Sequence, residues 1–314
     1  QRLLTFVSLI GILLLGSLLF VIYISYRRKT HDNKKLEQKN EEIQAQRDEI
    51  EAQRNTATQQ RDQIAKQNRI ITESIEYASR IQSAVLPREQ TIQEFFPDYF
   101  IYFKPKNIVS GDFYWISKID NKIIIAAADC TGHGVPGAFM SMLGVAFLNE
   151  IVNQSKILKP DEILNQLRKK VIDALHQSVN KRGARDGMNI TLSVIDTEMD
   201  KMYFAGAYNP LYLIREQSLQ EIKADRMPIG IHSVYQNTPF SAKTIDLQHG
   251  DQLYFFSDGY FDQFGGEKGK KYGKNSFKNL LLDIHSGEMK SQRETIDQTL
   301  ENWKGSRNQI DDIM

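Results

Sequence analysis

The sequence has one cysteine, Cys130, in 314 residues, which excludes an internal disulfide framework and a Cys-rich zinc module. Its six histidines (His31, His133, His176, His232, His249 and His285) form no H-x-H or HExxH pair, so a His-built zinc site lacks its ligands. Charge of one sign is also missing. Lys and Arg number 40 against 39 Asp and Glu, a net charge of +1, which gives no electrostatic reason to expect a nucleic-acid partner. The Gly- and Lys-rich stretch GGEKGKKYGK (265–274) lacks GxxxxGK[ST] and is no P-loop; it reads as a mobile basic loop. A metal in this chain must therefore be held by oxygen, which favours Mg²⁺ or Mn²⁺. The length suits one large globular domain with accessory segments.

Leu3 to Tyr26 is apolar and carries no charge. About 20 such residues in a helix span a bilayer core, so residues 1–26 are expected to form a transmembrane helix, with residues 3–26 as the membrane contact. A buried soluble helix is the alternative, though the run is long for one. No basic segment beyond Arg2 and no small-residue cleavage site accompany it, which argues against a cleavable signal peptide. Arg27, Arg28, Lys29, Lys34 and Lys35 follow, so the positive-inside bias assigns the rest of the chain to the cytoplasm, on the inner (cytoplasmic) membrane. The chain begins at Gln1 without Met and is read as a fragment.

Residues 32–86 contain neither Gly nor Pro. Apolar residues recur every seven positions at Leu36, Ile43, Ile50, Ala57, Ile64, Ile71, Ala78 and Val85, and QRDEI (46–50) returns as QRDQI (60–64). Strict sevens imply a left-handed supercoil seam. The second core position is mostly polar (Asn40, Arg47, Arg54, Arg61, Asn68), so the seam packs weakly, and a solvated single helix or spacer is the alternative. Residues 27–86 are read as a cytoplasmic signalling helix forming a parallel homodimeric coiled coil, able to change register and so pass a signal onward.

Residues 87–314 read as a compact α+β domain, a sheet sandwich with helices outside. Strands are expected over 99–105, 112–119, 121–129, 188–196, 201–207, 209–216, 218–224 and 251–259. Helices are expected over 134–152, 160–179, 276–284 and 293–305. QIDDIM (309–314) starts a strand cut off at Met314.

Acidic residues stand where strands or turns end: Asp112 in SGDFYW, Asp129 closing IIIAAAD, Asp258 in LYFFSDG, and Asp311 and Asp312 in QIDDIM. A carboxylate at the end of a buried strand needs donors, a base or a cation. Each alone suits a turn or a cap. Their recurrence in one domain points to a shared cation site.

These motifs, with AADCTGHGVPGAFMSMLG, AGAYNPLYLIRE, MPIGI, FFSDGYFDQF and the preceding IQSAVLP, resemble the SpoIIE-type branch of the PPM metal-dependent Ser/Thr protein phosphatases, from about Ile81 onward. The resemblance implies two antiparallel β-sheets packed face to face and flanked by helices, with two Mn²⁺ or Mg²⁺ ions at one end. It implies that Asp129 bridges both ions beside the Cys130 carbonyl, with Asp112, Asp258 and Asp311 as further ligands and Asp312 ranked below Asp311. Gly132 and Gly134 would let the backbone approach the site. Activated water then attacks phosphorus in line, so no Ser or Cys nucleophile is expected. Cys130 and His133 are read as structural, Asp186 as a turn residue, Lys104 and Lys106 as solvated strand-edge lysines, and the aromatics Phe113, Tyr114 and Trp115 as core residues. The implied function is a membrane-tethered phosphatase acting on phosphoserine or phosphothreonine of a regulatory protein, of the STAS anti-sigma-factor-antagonist type. A catalytically silent adaptor and a purely structural coiled-coil protein are the competing readings.

Overall fold

A computed structural model describes residues 2–178, 186–235 and 238–314. The chain divides into two compact units, Gln1–Ile71 and Thr72–Met314.

The first unit is helical over all its described residues, as part of helix α1 (Arg2–Val85). The absence of Pro and Gly over 32–86 leaves nothing to break the i to i−4 ladder. Leu13, Leu14, Phe20 and Ile22 are all more than half exposed, and so are the heptad residues Leu36, Ile50 and Ile64. Polar side chains bond along the helix at i, i+4, as Gln44 to Asp48 at 3.0 Å.

The second unit is layered helix–sheet–sheet–helix. Strands β1 (Phe113–Ile119), β2 (Lys122–Cys130), β3 (Met188–Asp196), β4 (Lys201–Ala207) and β7 (Lys243–Asp246) form a five-stranded antiparallel sheet in the order β1-β2-β3-β4-β7. Strands β5 (Leu211–Arg215), β6 (Ser218–Ile222) and β8 (Gln252–Tyr254) form a three-stranded sheet ordered β6-β5-β8.

The two-residue period of a strand decides which side chains meet which layer. Ile124, Ala126 and Ala128 of β2 point to helices α3 (Val135–Leu148) and α4 (Pro160–Ala174), where they join Val145, Leu148, Ile163 and Leu167. Ile123 and Ile125 point the other way and join Met202, Phe204, Leu211 and Leu213 between the sheets. The outer face of the small sheet, with Tyr212 and Tyr254, packs on α5 (Gly259–Asp262), α6 (Lys274–Ile284) and α7 (Met289–Lys304).

The strands expected over 188–196 and 201–207 form with those bounds. Others differ. Residues 99–105 form no strand: only Lys104 bridges, to Ile313, while Phe100 and Tyr102 pack on the α6–α7 core. An apolar run without a neighbour to complete its ladder stays irregular. The strand expected over 251–259 stops at Tyr254, and Gly259 opens α5. Helix α3 ends at Leu148 and passes into a π-helical turn, Asn149–Gln154, whose Asn149 and Asn153 accept from Trp115 and Ser117 of β1. Helix α4 ends at Ala174, and Val179, the last residue expected in it, lies outside the described residues. Helix α2 (Glu89–Phe95) and β7 were not anticipated. Within the basic stretch, β9 (Phe264–Gly265) and β10 (Lys270–Lys271) pair as a ribbon, where a loop was expected.

An apolar cavity of about 420 Å³ lies among Phe96, Tyr102, Trp115, Phe255, Tyr260 and Met314. None of the acidic residues singled out above lines it.

Candidate metal centre

Asp129 is the next-to-last residue of β2 and shares the parity of Ile123 and Ile125, so it points toward the second sheet at the strand's end. Across the ladder it faces Asn189 of β3. Asp112 precedes β1, only 3% exposed, and its amide donates to Ser110 Oγ at 3.0 Å. Asp258 directly precedes α5, yet its side chain makes no capping bond, so the turn or cap reading leaves its carboxylate unexplained. Asp311 Oδ1 accepts the Asp312 amide at 2.9 Å. Asp312 accepts the Lys106 amide on Oδ1 and the Gly111 amide on Oδ2, both at 2.7 Å.

Close backbone approach brings these segments together. A Cβ on Gly111 would stand 2.6 Å from the Gly132 carbonyl and 3.3 Å from that of Cys130; one on Gly259 would stand 1.9 Å from the Asp312 carbonyl. Only glycine fits either place.

The acidic residues sense one another. Burial, then Asp258 and Asp311, push the Asp129 carboxyl up to about 8, against a hydrogen bond from Asn189 that favours ionisation. Burial first, and Asp129 second, raise Asp112 well above the carboxylate range, opposed by a hydrogen bond from Ser257. Burial, Asp262 and Asp311 raise Asp258, which Lys271 and Lys274 partly offset. Among the described residues, however, no three His, Cys, Asp or Glu side chains form a tight ligand cluster. The two observations differ in range: charges couple over longer distances than ligation allows, and a bare cluster of carboxylates repels itself.

Oxygen ligands for hard cations fit this set. Asp112 Oδ2 is a buried oxygen with no hydrogen-bond partner, although an unpaired buried carboxylate is costly. A divalent cation would supply the missing partner and reverse the upward shifts of Asp112, Asp129 and Asp258.

The remaining candidates have other occupations. Cys130 is buried in the α3–α4 core, and burial raises its thiol well above the ordinary range, so it packs and does not react. His133 Nδ1 lies 2.8 Å from Asn107 Oδ1 on the surface. Lys104 is paired with Asp297 and Glu301. The Asp186 carbonyl accepts from Gln177. Phe113 and Trp115 are core residues. Sequence reasoning missed Ser110, Asn189 and Ser257. Ser110 and Ser257 each lie within two residues of an Asp in a motif already noted, whereas Asn189 is found only through the β2–β3 register.

Residues 119–314 match the family model described as Stage II sporulation protein E (SpoIIE). The chain is 29% identical over 202 residues to the phosphoserine phosphatase RsbU of Bacillus subtilis, covering 60% of this chain and 53% of RsbU; it thus spans about half the length of that curated relative. Among solved structures it is similar to the SiaA-PP2C domain of Pseudomonas aeruginosa, with a TM-score of 0.71, 31% identity, and 78% of this chain and 95% of that one covered. The PP2C phosphatase domain of SpoIIE from Bacillus subtilis, with a fragment of its regulatory domain, shares the fold at a TM-score of 0.54 and 17% identity, over 69% of this chain and 62% of that one. The family-model match over more than half of the chain, together with the fold shared with the SiaA-PP2C domain, establishes that the chain belongs to the SpoIIE family and carries a PP2C-type phosphatase domain.

Proposed function

We propose that the chain is a membrane-tethered, metal-dependent protein phosphatase that removes phosphate from phosphoserine or phosphothreonine on a regulatory protein. The observation that carries this is the buried, partnerless Asp112 Oδ2 within a set of mutually repelling carboxyls. Asp112, Asp129, Asp258, Asp311 and the Cys130 carbonyl would hold two Mn²⁺ or Mg²⁺ ions. When bound, such ions make water nucleophilic near neutral pH and offset charge on the phosphoryl oxygens. The chain's own part is to hold the ligands still. Asp312 takes the Lys106 and Gly111 amides, which favours a fixing role for it over ligation, and the Ser257 hydroxyl and Asn189 amide orient Asp112 and Asp129. The buried Cys130 thiol, pushed well above its ordinary range, packs and is no nucleophile in this reading.

The relative RsbU bears the name phosphoserine phosphatase, which supports a phosphoserine substrate; a STAS-type regulator as the partner class is the part of this reading that comes from the family resemblance. The apolar residues 3–26, among them the exposed Leu13, Leu14, Phe20 and Ile22, supply the tether to the inner membrane, with the phosphatase domain in the cytoplasm. The exposed heptad residues Leu36, Ile50 and Ile64 supply a homodimer seam.

The full chain in detergent should release phosphate from a phosphoserine peptide and from p-nitrophenyl phosphate with Mn²⁺, and EDTA should stop it. Equal absence of turnover with and without metal would favour the silent adaptor. Cysteines introduced at Ile50 and Ile64 should crosslink between copies in membranes; monomer alone under oxidation would remove the dimer.

A further inference from the structure

Gln82 lies in the last turn of α1, within the Thr72–Met314 unit, and is only 7% exposed. A buried carboxamide is costly unless its donors and acceptor are used. Gln82 uses both ends. Its Nε2 donates to the Ser110 carbonyl at 2.6 Å and to Ser141 Oγ at 2.8 Å, and its Oε1 accepts the Ser110 amide at 3.1 Å. The side chain therefore reads the Ser110 backbone from both sides, as a neighbouring strand would. The Ser141 hydroxyl of α3 shares its one proton between the Ala138 carbonyl at 2.9 Å and the Ser110 carbonyl at 3.3 Å.

Three successive amides are thus held by side chains: that of Ser110 by Gln82, that of Gly111 by Asp312, and that of Asp112 by Ser110 Oγ. The third carries the carboxylate with the partnerless oxygen. Gly111 has no side chain to pack in this segment, so its position depends on these bonds.

We propose that Gln82 is a positioning residue for the metal-bearing segment Ser110–Asp112, fixing the Asp112 carboxylate where a divalent cation binds. The inference rests on the phosphatase reading above and deepens it, because it makes the end of α1 part of the metal centre's support. It concerns residues that touch neither substrate nor the reacting atoms.

The test uses the full chain in detergent and two variants. Gln82→Met keeps the length and apolar packing of the side chain but removes all three hydrogen bonds; Ser141→Ala removes one of them. Mn²⁺ binding is followed by the loss of the free-ion electron paramagnetic resonance signal, and melting temperature and Mn²⁺-dependent hydrolysis are measured in parallel. Loss of support behind a ligand typically costs about tenfold or more in metal affinity. Gln82→Met should weaken Mn²⁺ binding by about tenfold and raise the Mn²⁺ needed for half-maximal activity equally, with turnover at saturating Mn²⁺ within about twofold of the parent. Ser141→Ala should shift both in the same direction by less. Parent-like Mn²⁺ affinity in Gln82→Met, or activity that falls with melting temperature and is not recovered by Mn²⁺, overturns the proposal. If Gln82→Met does not fold, unshifted Mn²⁺ affinity in Ser141→Ala overturns it instead. A parent that binds no Mn²⁺ overturns the phosphatase reading and this inference together, whereas a binding parent with unaffected variants overturns this inference alone.

Discussion

Asp129→Asn is expected to abolish phosphate release with Mn²⁺ while leaving a folded chain that, without metal, melts higher than the parent. The two effects have one cause. Asparagine keeps the shape of the carboxyl and leaves the β2–β3 ladder at Asn189 intact, since that ladder is made by backbone groups. What it removes is the charge. In the metal-free chain that charge is a liability, because burial and the neighbouring Asp258 and Asp311 already push the Asp129 carboxyl up to about 8. A neutral amide escapes both the desolvation and the repulsion, so the melting temperature should rise by roughly 3–6 °C, about what 1–2 kcal/mol gives in a domain of this size. In the metal-loaded chain the same charge is the proposed central ligand, and turnover should fall by at least about a thousandfold, some 4 kcal/mol of transition-state stabilisation. Asp258→Asn should behave alike, with a smaller gain in stability because Lys271 and Lys274 offset part of its repulsion. Phosphate release and thermal melts monitored by circular dichroism check both arms. Parent-like turnover in Asp129→Asn sinks the site, and a lower metal-free melting temperature sinks the electrostatic account.

The sequence made the acidic turns legible because a carboxylate closing a run such as IIIAAAD is costly unless something compensates it. The strands β3 and β4 were legible for a related reason: their apolar residues are bounded by turn residues, and each pairs with a neighbour close in sequence. Residues 99–105 show where this reading fails. Their pattern is strand-like, but only Lys104 finds a partner, more than 200 residues away at Ile313. Pairing over such distances is set by the packed domain, not by local pattern. The site divides the same way. Asp112, Asp129, Asp258 and Asp311 carry their own signal, whereas the groups that orient them do not. Asn189 meets Asp129 only through strand register, Gly111 meets Asp312 across the fold, and Gln82 looks like one more polar residue on a polar helix until Ser110 is seen against it. The four-layer helix–sheet–sheet–helix order was suggested by the pattern of many strands with a few long helices and sharpened by the family resemblance, whereas which side chains meet which layer was set by the packed domain.

A metal-free chain should lose stability as pH rises from 5.5 to 8.5, the reverse of what paired surface carboxylates produce. Asp112, Asp129 and Asp258 all hold their protons to higher pH in the folded chain than the roughly 4 expected of an unfolded carboxyl. Between that value and the folded value of about 8 for Asp129, the folded state binds more protons than the unfolded state. Their contribution is therefore complete below about pH 4 and disappears as pH climbs through the folded values. The ion-paired carboxyls act elsewhere. Hydrogen bonds from Lys122 to Asp196, and from Lys104 and Lys304 to Glu301, lower those pKa values, and Arg215 does the same for Asp251 against the effect of burial. Their stability is lost as pH falls through the lowered values, below about 4, outside the window chosen. The net change over pH 5.5–8.5 should be on the order of a few kcal/mol, or roughly 5–10 °C in melting temperature. Asp129→Asn should flatten the slope, which ties this effect to that carboxyl. Saturating Mn²⁺ should flatten it as well, and should stabilise more at pH 8 than at pH 6, because metal competes with protons for the same oxygens. Melts of parent and variant across this range, with EDTA and with Mn²⁺, decide the matter: a parent whose metal-free stability rises with pH, or a Mn²⁺ effect larger at pH 6, would mean that these carboxyls do not share a cation.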